Sequence, residues 1–368
     1  MKDKAPSYWQ EYSNVQYIKH KIISEYLKGW FPKLGSWSGK ILYIDTHAGR
    51  GKYKAGQEGS PLVALNTFLK HSFRDKILSR CEVRFVFIES DEDNAKELKQ
   101  QLEEIGTLPK GIKCNICTED CFKLLDELIN HLEEEKAELA PCLMFVDPYS
   151  FKIPCETLKK IKTYSASELL ITFIWRELDM ALNQENPSTG LADTLSSVFG
   201  SEDWIGIKEI DDFGARGEEA IQLLKRNIGA KWATYIRMLG DNQITRYFLL
   251  HLSDHEAGRD LMKEVIWKCC PDGGYYARKR DDPNQQYLIT PEPDLRPLEN
   301  WLISKLREKR YTWVELQELL REEIWLNKHL WYIIGKLIKE KRLSPINYEG
   351  RFSQKANPTF IIVGNDGK

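Results

Sequence analysis

The stretch Ile41-Leu42-Tyr43-Ile44-Asp45-Thr46-His47-Ala48-Gly49-Arg50-Gly51 decides how this chain is read. Four apolar residues in an unbroken run, closed by an acid, describe a strand buried on both faces of a parallel sheet; a half-exposed strand would alternate. Two glycines one residue apart then let the backbone turn tightly and approach a ligand with no Cβ in the way. In an open α/β sheet, ligands bind at the carboxyl ends of the strands. Asp45, Ala48, Gly49 and Gly51 are therefore candidate binding residues.

The same rhythm spreads outward. Before the strand, Tyr17, His20, Ile23, Tyr26, Leu27, Trp30 and Phe31 recur at spacings of three and four, which predicts a helix from about Ser7 to Phe31. After it, an amphipathic stretch follows Ser60-Pro61, then strands Val83–Ile88, Ile112–Cys117, Cys142–Val146 and Leu169–Trp175 alternate with helices Asp91–Ile105 and Asp120–Glu135. Strands alternating with helices specify βαβ units and a doubly wound, Rossmann-like parallel sheet. Residues 176–231 are more polar and read as a helical insertion over one sheet edge. Trp232–Leu239 and Arg246–Leu252, joined through Gly240-Asp241-Asn242, form an expected antiparallel pair.

A first domain over 1–270 is thus expected, with its last helix at about Glu256–Trp267. The Pro-, Asp- and Gly-rich stretch 271–297 reads as a linker. Beyond it lie helical patterns at Leu298–Lys309, Thr312–Arg321 and Leu326–Lys341 and a β-like tail ending Thr359–Val363, the layout of a winged helix-turn-helix domain over 298–368.

Composition bounds the function. With 368 residues, 42% hydrophobic, the chain has material for a sizeable core, and a net charge of -2 confines any nucleic-acid role to a local patch. No apolar run approaches a membrane span, no apolar stretch follows Met1-Lys2-Asp3-Lys4, and the eight cysteines read as reduced thiols. A cytoplasmic protein without membrane association is expected.

The strand ends carry the chemistry. Glu89 closes the second strand, placed to accept from a ribose diol; Asp120 stands after the third, in reach of an adenine amino group. Asp147-Pro148-Tyr149 closes the fourth: a carboxylate, a Pro-constrained carbonyl and an aromatic face that suit a planar amine. The loop lacks the third glycine of G-x-G-x-x-G, and the helix behind it waits until Ser60-Pro61. A pyrophosphate wants that helix N-terminus directly behind the glycines. S-adenosylmethionine, a sulfonium with an amino-acid tail, fits better than a nicotinamide dinucleotide. The plainer alternative is that Asp45, Glu89 and Asp120 cap the helices that follow them.

Several runs together resemble one family. Lys19-His20 precedes Tyr26-Leu27-x-x-Trp30-Phe31-Pro32, and Ile41-Leu42-Tyr43-Ile44-Asp45-x-x-Ala48-Gly49-x-Gly51-x-Tyr53 precedes Gly59-Ser60-Pro61-Leu62. Further on stand Phe145-Val146-Asp147-Pro148-Tyr149 and His255-x-x-Gly258-x-x-Leu261-Met262-Lys263. Over about residues 15–270 these resemble the three-Cys-motif partner protein family. The resemblance implies a class I S-adenosylmethionine-dependent methyltransferase fold and a three-cysteine, radical-SAM-like partner protein. It also singles out Lys19 and His20 as substrate contacts, where an amphipathic helix alone would give a solvated face. His47 and Arg50 stand where the family carries Phe and Pro, and Tyr149-Ser150 where it carries an aromatic-Gly pair.

Cys114-x-x-Cys117-x-x-x-Cys121 has three thiols at metal-ligand spacing, but a strand followed by a helix sends them to different faces, and no metal is expected. Residues 292–368 hold 14 Lys and Arg against 11 Asp and Glu. There Lys328, Lys336, Lys339 and Arg342, with Arg351 and Lys355 in the wing, are candidate phosphate contacts. The functions that follow are a methyltransferase acting on nucleic acid or on what its partner handles, or a catalytically inactive accessory or regulatory protein that binds nucleic acid or a protein partner through the winged helix, including a regulator that senses S-adenosylmethionine through the first domain.

Overall fold

The computed structural model describes Trp9 and residues 12–240, 244–271, 292–346, 348 and 355–363. Ser7, the Asp241-Asn242 turn, most of the 271–297 linker and Arg351 lie outside the described residues. The chain divides into two compact units, one reaching Cys269 and one holding the described residues from 292 onward.

In the first unit, α1 (Asn14–Gly35) starts at Ser13, whose side chain accepts from the Gln16 amide, rather than at Ser7. It runs past Phe31 through Pro32. Proline offers no N–H to the Lys28 carbonyl, and the His71 ring donates to that carbonyl instead, at 2.9 Å. The chain continues through β1 (Lys40–Asp45), α2 (Ser60–Leu69), α3 (Arg74–Leu78), β2 (Glu82–Ile88), α4 (Glu92–Glu104), β3 (Ile112–Cys117), α5 (Cys121–Glu134) and β4 (Cys142–Val146). Then come α6 (Cys155–Lys162), β5 (Ser167–Phe173), α7 (Trp175–Leu182), α8 (Thr189–Phe199), α9 (Trp204–Lys208) and α10 (Phe213–Ile228). The unit closes with β6 (Trp232–Leu239), β7 (Thr245–Ser253) and α11 (Glu256–Cys269). Trp175, read from sequence as the end of a strand, opens α7 instead, and α3 carries no strong pattern in the sequence.

The sheet has the order β3-β2-β1-β4-β5-β7-β6. Strands β1 to β5 are parallel, and β7 is antiparallel to both β5 and β6. With helices on both faces this is an α/β, Rossmann-like sheet. Central strands β4 and β5 are buried along their whole length, while edge strand β6 alternates buried and half-buried positions, as coverage on two faces or one requires. On one face Phe85 meets Phe31, Tyr43 and Phe68 at ring distances of 6.0–6.3 Å. On the other, Leu42, Ile44, Met144 and Val146 join a core with α5, α6 and the helices of 176–231. The order reverses between β1 and β4, so a crevice opens where Asp45 and Asp147 end their strands.

Helix α1 crosses one face and is fixed to it by buried polar groups. At the amino end of β5, the Tyr26 hydroxyl donates to Glu168, whose carboxylate also meets His251 Nε2 at 2.9 Å.

The second unit comprises α12 (Arg296–Glu308), β8 (Tyr311–Thr312), α13 (Trp313–Leu320), α14 (Asn327–Lys339), β9 (Leu343–Ile346) and β10 (Thr359–Ile362), with antiparallel sheet order β8-β10-β9. Thr312 opens α13 with a reciprocal cap: its hydroxyl accepts from the Glu315 amide, and its amide donates to the Glu315 carboxylate at 2.7 Å. Leu298, Leu302, Leu316, Ile334, Leu337 and Phe360 form its core. Among the described residues no helix is long and apolar enough to cross a membrane.

Phe85 is fully buried at the centre of the aromatic face. Phe85→Ala is expected to destabilise the first unit by ~3–5 kcal/mol through lost transfer energy and a residual cavity. The midpoint of its urea transition checks this, and a shift below ~1 kcal/mol would show that the face collapses to fill the hole.

Candidate active site

The crevice is built from the loop after β1, the ends of β2 and β4, and the first turns of α1. Gly49 and Gly51 both take positive φ, 64° and 87°, which L side chains rarely adopt. The loop is held to the next strand by Glu89, buried at the end of β2. One of its oxygens accepts from the Gly49 amide at 2.7 Å and the other from the Asp91 amide at 2.8 Å. Burial pushes the Glu89 carboxyl up from its ordinary range, and those two amides pull it back. The Ala48 amide donates to the Ile88 carbonyl at 2.9 Å, so β1 and β2 stay joined beyond their last ladder bond.

Asp45 is fully buried and its Oδ2 has no hydrogen-bond donor among the described residues. Burial pushes its carboxyl up to about 7, with the Asp147 charge adding to the rise and the Ser60 hydroxyl and His47 amide opposing it. Asp147 is treated oppositely. Its Oδ2 accepts from Lys19 Nζ at 2.5 Å. Burial works to raise the Asp147 carboxyl, but the Lys19 ammonium outweighs it and holds the carboxyl below its ordinary range. Lys19 itself is 2% exposed, and the Asp147 charge keeps its pKa raised against its own burial.

His20 is also buried. Burial, with the Lys19 charge beside it, lowers its pKa to about 3, so the ring is neutral near pH 7. Its Nδ1 lies 3.0 Å from the Tyr12 hydroxyl. His47, pushed by burial to about 4, bonds the Thr46 hydroxyl at 2.8 Å and lies 3.6 Å from the Cys121 thiol. Pro148 is buried and Tyr149 is 61% exposed at the rim.

The structure thus brings Lys19, His20, Asp45, Ala48, Gly49, Gly51, Glu89, Asp147, Pro148 and Tyr149 to one end of the sheet. Lys19, expected at a substrate, is engaged inside the protein by Asp147. Asp120 is exposed and caps α5, accepting from the Lys123 amide at 3.0 Å. Lys328 and Lys339 are exposed on α14, while Lys336 and Arg342 both donate to Glu299, at 2.9 and 2.6 Å. The eight cysteines are free thiols, and no group of three or more His, Cys, Asp or Glu among the described residues is set to hold a metal.

Trp9 is the residue that sequence reasoning missed. Its indole lies over the glycine loop, where a Cβ on Gly49 would stand 2.1 Å from the ring, and it packs against Tyr53 with centroids 4.8 Å apart. Arg50 donates to Asn94 at 3.0 Å, with its guanidinium 6.0 Å from the Trp9 ring centre. The signal for Trp9 was Ser13: an N-cap residue there frees Trp9 from the helix and lets it fold over the loop.

The donor set suits a cationic ligand with a diol. Asp45 offers a buried, unbonded oxygen, and the Glu89 carboxylate keeps lone pairs beyond the two it gives to the loop. Space is the constraint: the cavity bounded by Trp9, Ala48, Asp147 and Tyr149 is only about 10 Å³, room for one water. The residues therefore fit S-adenosylmethionine once the Trp9 ring gives way.

The native state holds the Asp45 proton more tightly than the unfolded chain, whose pKa is about 3.9. Stability from this group is therefore present below about pH 4 and is lost as pH rises toward 7. Asp45→Asn removes that loss. Its stability relative to the native protein should climb by up to ~1.4 kcal/mol per pH unit between about pH 4.5 and 6.5 and then level off. Urea denaturation across pH at fixed salt reads this, and a flat difference would mean that the carboxyl is solvated.

No family model matches the chain, and no curated protein matches its sequence. Among solved structures, a Legionella pneumophila protein of family model DUF519 aligns at 14% identity over 71% of this chain and 94% of that one, with a TM-score of 0.40. The plantazolicin methyltransferase BpumL, in complex with SAH, aligns at 12% identity over 65% of this chain and 86% of that one, with a TM-score of 0.31. Trm1 from Pyrococcus horikoshii, in complex with S-adenosyl-L-methionine, aligns at 13% identity over 84% and 76%, with a TM-score of 0.34. Likeness of this order carries no function, and the fold stands on the chain's own strand order.

Proposed function

We propose that this chain is a class I methyltransferase of the three-Cys-motif partner type, which binds S-adenosylmethionine in the β1–β4 crevice and methylates a nucleic acid. The observation that carries the reading is the buried, unbonded Asp45 oxygen beside a positive-φ glycine turn at the sheet's switch point. When bound, the cofactor supplies an electrophilic methyl group on a sulfonium. Asp45 would hold its ammonium, Ala48, Gly49 and Gly51 would line its methionine part, and Glu89 would take the ribose hydroxyls. Asp120 would face the adenine.

Methyl transfer to a nitrogen needs alignment and a dry site more than strong acid–base chemistry. Asp147, kept ionised by Lys19, would accept a hydrogen bond from the acceptor amine and orient its lone pair. Pro148 fixes the neighbouring carbonyl, and Tyr149 provides a face for a planar group. In the second unit, three helices and a three-stranded sheet fit a winged helix-turn-helix, with Lys328 and Lys339 turned to a phosphate backbone and Lys336 and Arg342 reaching it on release from Glu299. A three-cysteine, radical-SAM-like protein would act on the same substrate.

The second reading, an inactive accessory protein, is favoured by one observation: the Trp9 ring leaves only about 10 Å³ in the crevice. Calorimetric titration with S-adenosylmethionine and S-adenosylhomocysteine separates the two. The native protein should bind at micromolar Kd, and Glu89→Gln should weaken this at least tenfold, or about 1.4 kcal/mol. Trp9→Ala should tighten it by about tenfold, because the competing ring is gone. Absence of binding by both the native protein and the folded Trp9→Ala variant would discard methyl transfer and leave the accessory role.

A further inference from the structure

A second opening lies beside the crevice, between α1 and α2. It is a groove of about 990 Å³, far larger than the cavity at Asp147. Its floor is stitched by a 2.9 Å hydrogen bond between the Ser24 and Thr67 hydroxyls. His20 lines both spaces, facing the groove on one side and the Asp147–Ala48 cavity on the other. The Tyr12–His20 hydrogen bond closes the partition between them. The groove therefore leads to the crevice and stops at one neutral imidazole.

The charges in the groove are unequal in availability. Its acids are engaged within the protein: Glu25 by Lys28 and Lys268, at 2.6 and 2.5 Å, and Glu58 by the Asn66 amide at 2.8 Å. Lys21 and Lys70 have no acidic partner among the described residues. Aromatic faces accompany the ammonium groups. Lys21 Nζ stands 5.9 Å from the Tyr17 ring centre. Phe73, also in the lining, is 50% exposed, and Lys76 Nζ, outside the lining, stands 6.0 Å from its ring centre.

Rings beside unpaired ammonium groups match a chain of planar bases on a phosphodiester backbone. An acidic peptide would use the lysines but leave the rings without partners. Packed helices stand ~8–10 Å apart, and the trough between two of them takes a single strand and not a duplex.

We propose that the α1/α2 groove is a single-strand nucleic-acid track that leads an unstacked acceptor base past His20 to Asp147; only the last step rests on the methyl-transfer reading. Tyr17 and Phe73 stack bases, Lys21 and Lys70 neutralise phosphates, and the Tyr12–His20 pair parts to admit the acceptor.

The test uses the full chain and fluorescence anisotropy with labelled single-stranded DNA and RNA oligonucleotides of about 12 nucleotides, without cofactor. Lys21→Glu combined with Lys70→Glu should weaken binding at least tenfold and flatten the log affinity against log salt slope by about 1.4, for two lost phosphate contacts. Tyr17→Ala with Phe73→Ala should weaken binding and leave the slope unchanged. Lys328→Glu with Lys339→Glu, in the other unit, should leave both groove effects in place. Thermal melts establish that each variant is folded.

Three results would overturn the track: no oligonucleotide binding by the native protein, full binding by the Lys21/Lys70 double variant, or equal competition by poly-glutamate. Calorimetry with S-adenosylmethionine on the same proteins keeps the two readings apart. Groove binding with no cofactor binding by either the native protein or the Trp9→Ala variant ends the methyl-transfer reading alone, and cofactor binding without groove binding ends the track alone.

Discussion

A buried ammonium ties the first helix to the end of the fourth strand, and the functional end of the molecule depends on that tie. Lys19 and Asp147 are 128 residues apart in sequence and share one short ion pair. Two turns further along α1, Tyr26 reaches Glu168 at the opposite end of the sheet. Seven helical residues rise ~10.5 Å, and the four strand residues from Glu168 to the level of Asp147 cover a similar ~13 Å. The helix is therefore fixed at both ends of the strands it covers. Removing one partner of such a pair strands the other charge in a dry interior, at a cost of ~3–5 kcal/mol.

That geometry gives the acids of the crevice separate identities. Asp147 stays ionised because a cation touches it; Asp45 is pushed up to about 7 by burial, with the Asp147 charge adding to the rise. Glu89 holds backbone amides on both oxygens. Neighbouring carboxylates whose environments drive their pKa values apart take different chemical roles. Here Asp147 is held ionised by a cation, Asp45 keeps an unbonded oxygen, and Glu89 shapes the loop.

Much of this was legible in the sequence. Unbroken apolar runs ending in acids located β1 and β4, because burial on both faces leaves no room for polar alternation. The β2 run is interrupted by Arg84 and ends at Glu89, and the β5 run was legible from its apolar length alone. The glycine pair marked the loop, since only backbone freedom explains glycines one residue apart at a strand end. The reading failed where a contact crosses the fold. Lys19 looked like a solvated or substrate-facing cation because nothing local predicts an acid 128 residues on. Asp120 satisfies a local rule, the helix cap, at least as well as a distant one. The helix ran longer than its pattern at Pro32 because His71, in the loop after α2, replaced the missing donor.

Gly49 is constrained twice, and the two constraints differ in how long they can last. The ring of Trp9 leaves no room for a Cβ there, yet the backbone at φ 64° would resist a side chain even if that ring were gone. A lineage can lose or replace Trp9 in a single step and keep the loop, whereas no compensating change elsewhere readily frees position 49. The crevice should therefore drift at its cover long before it drifts at its base, so that relatives of this chain differ first in what lies over the loop.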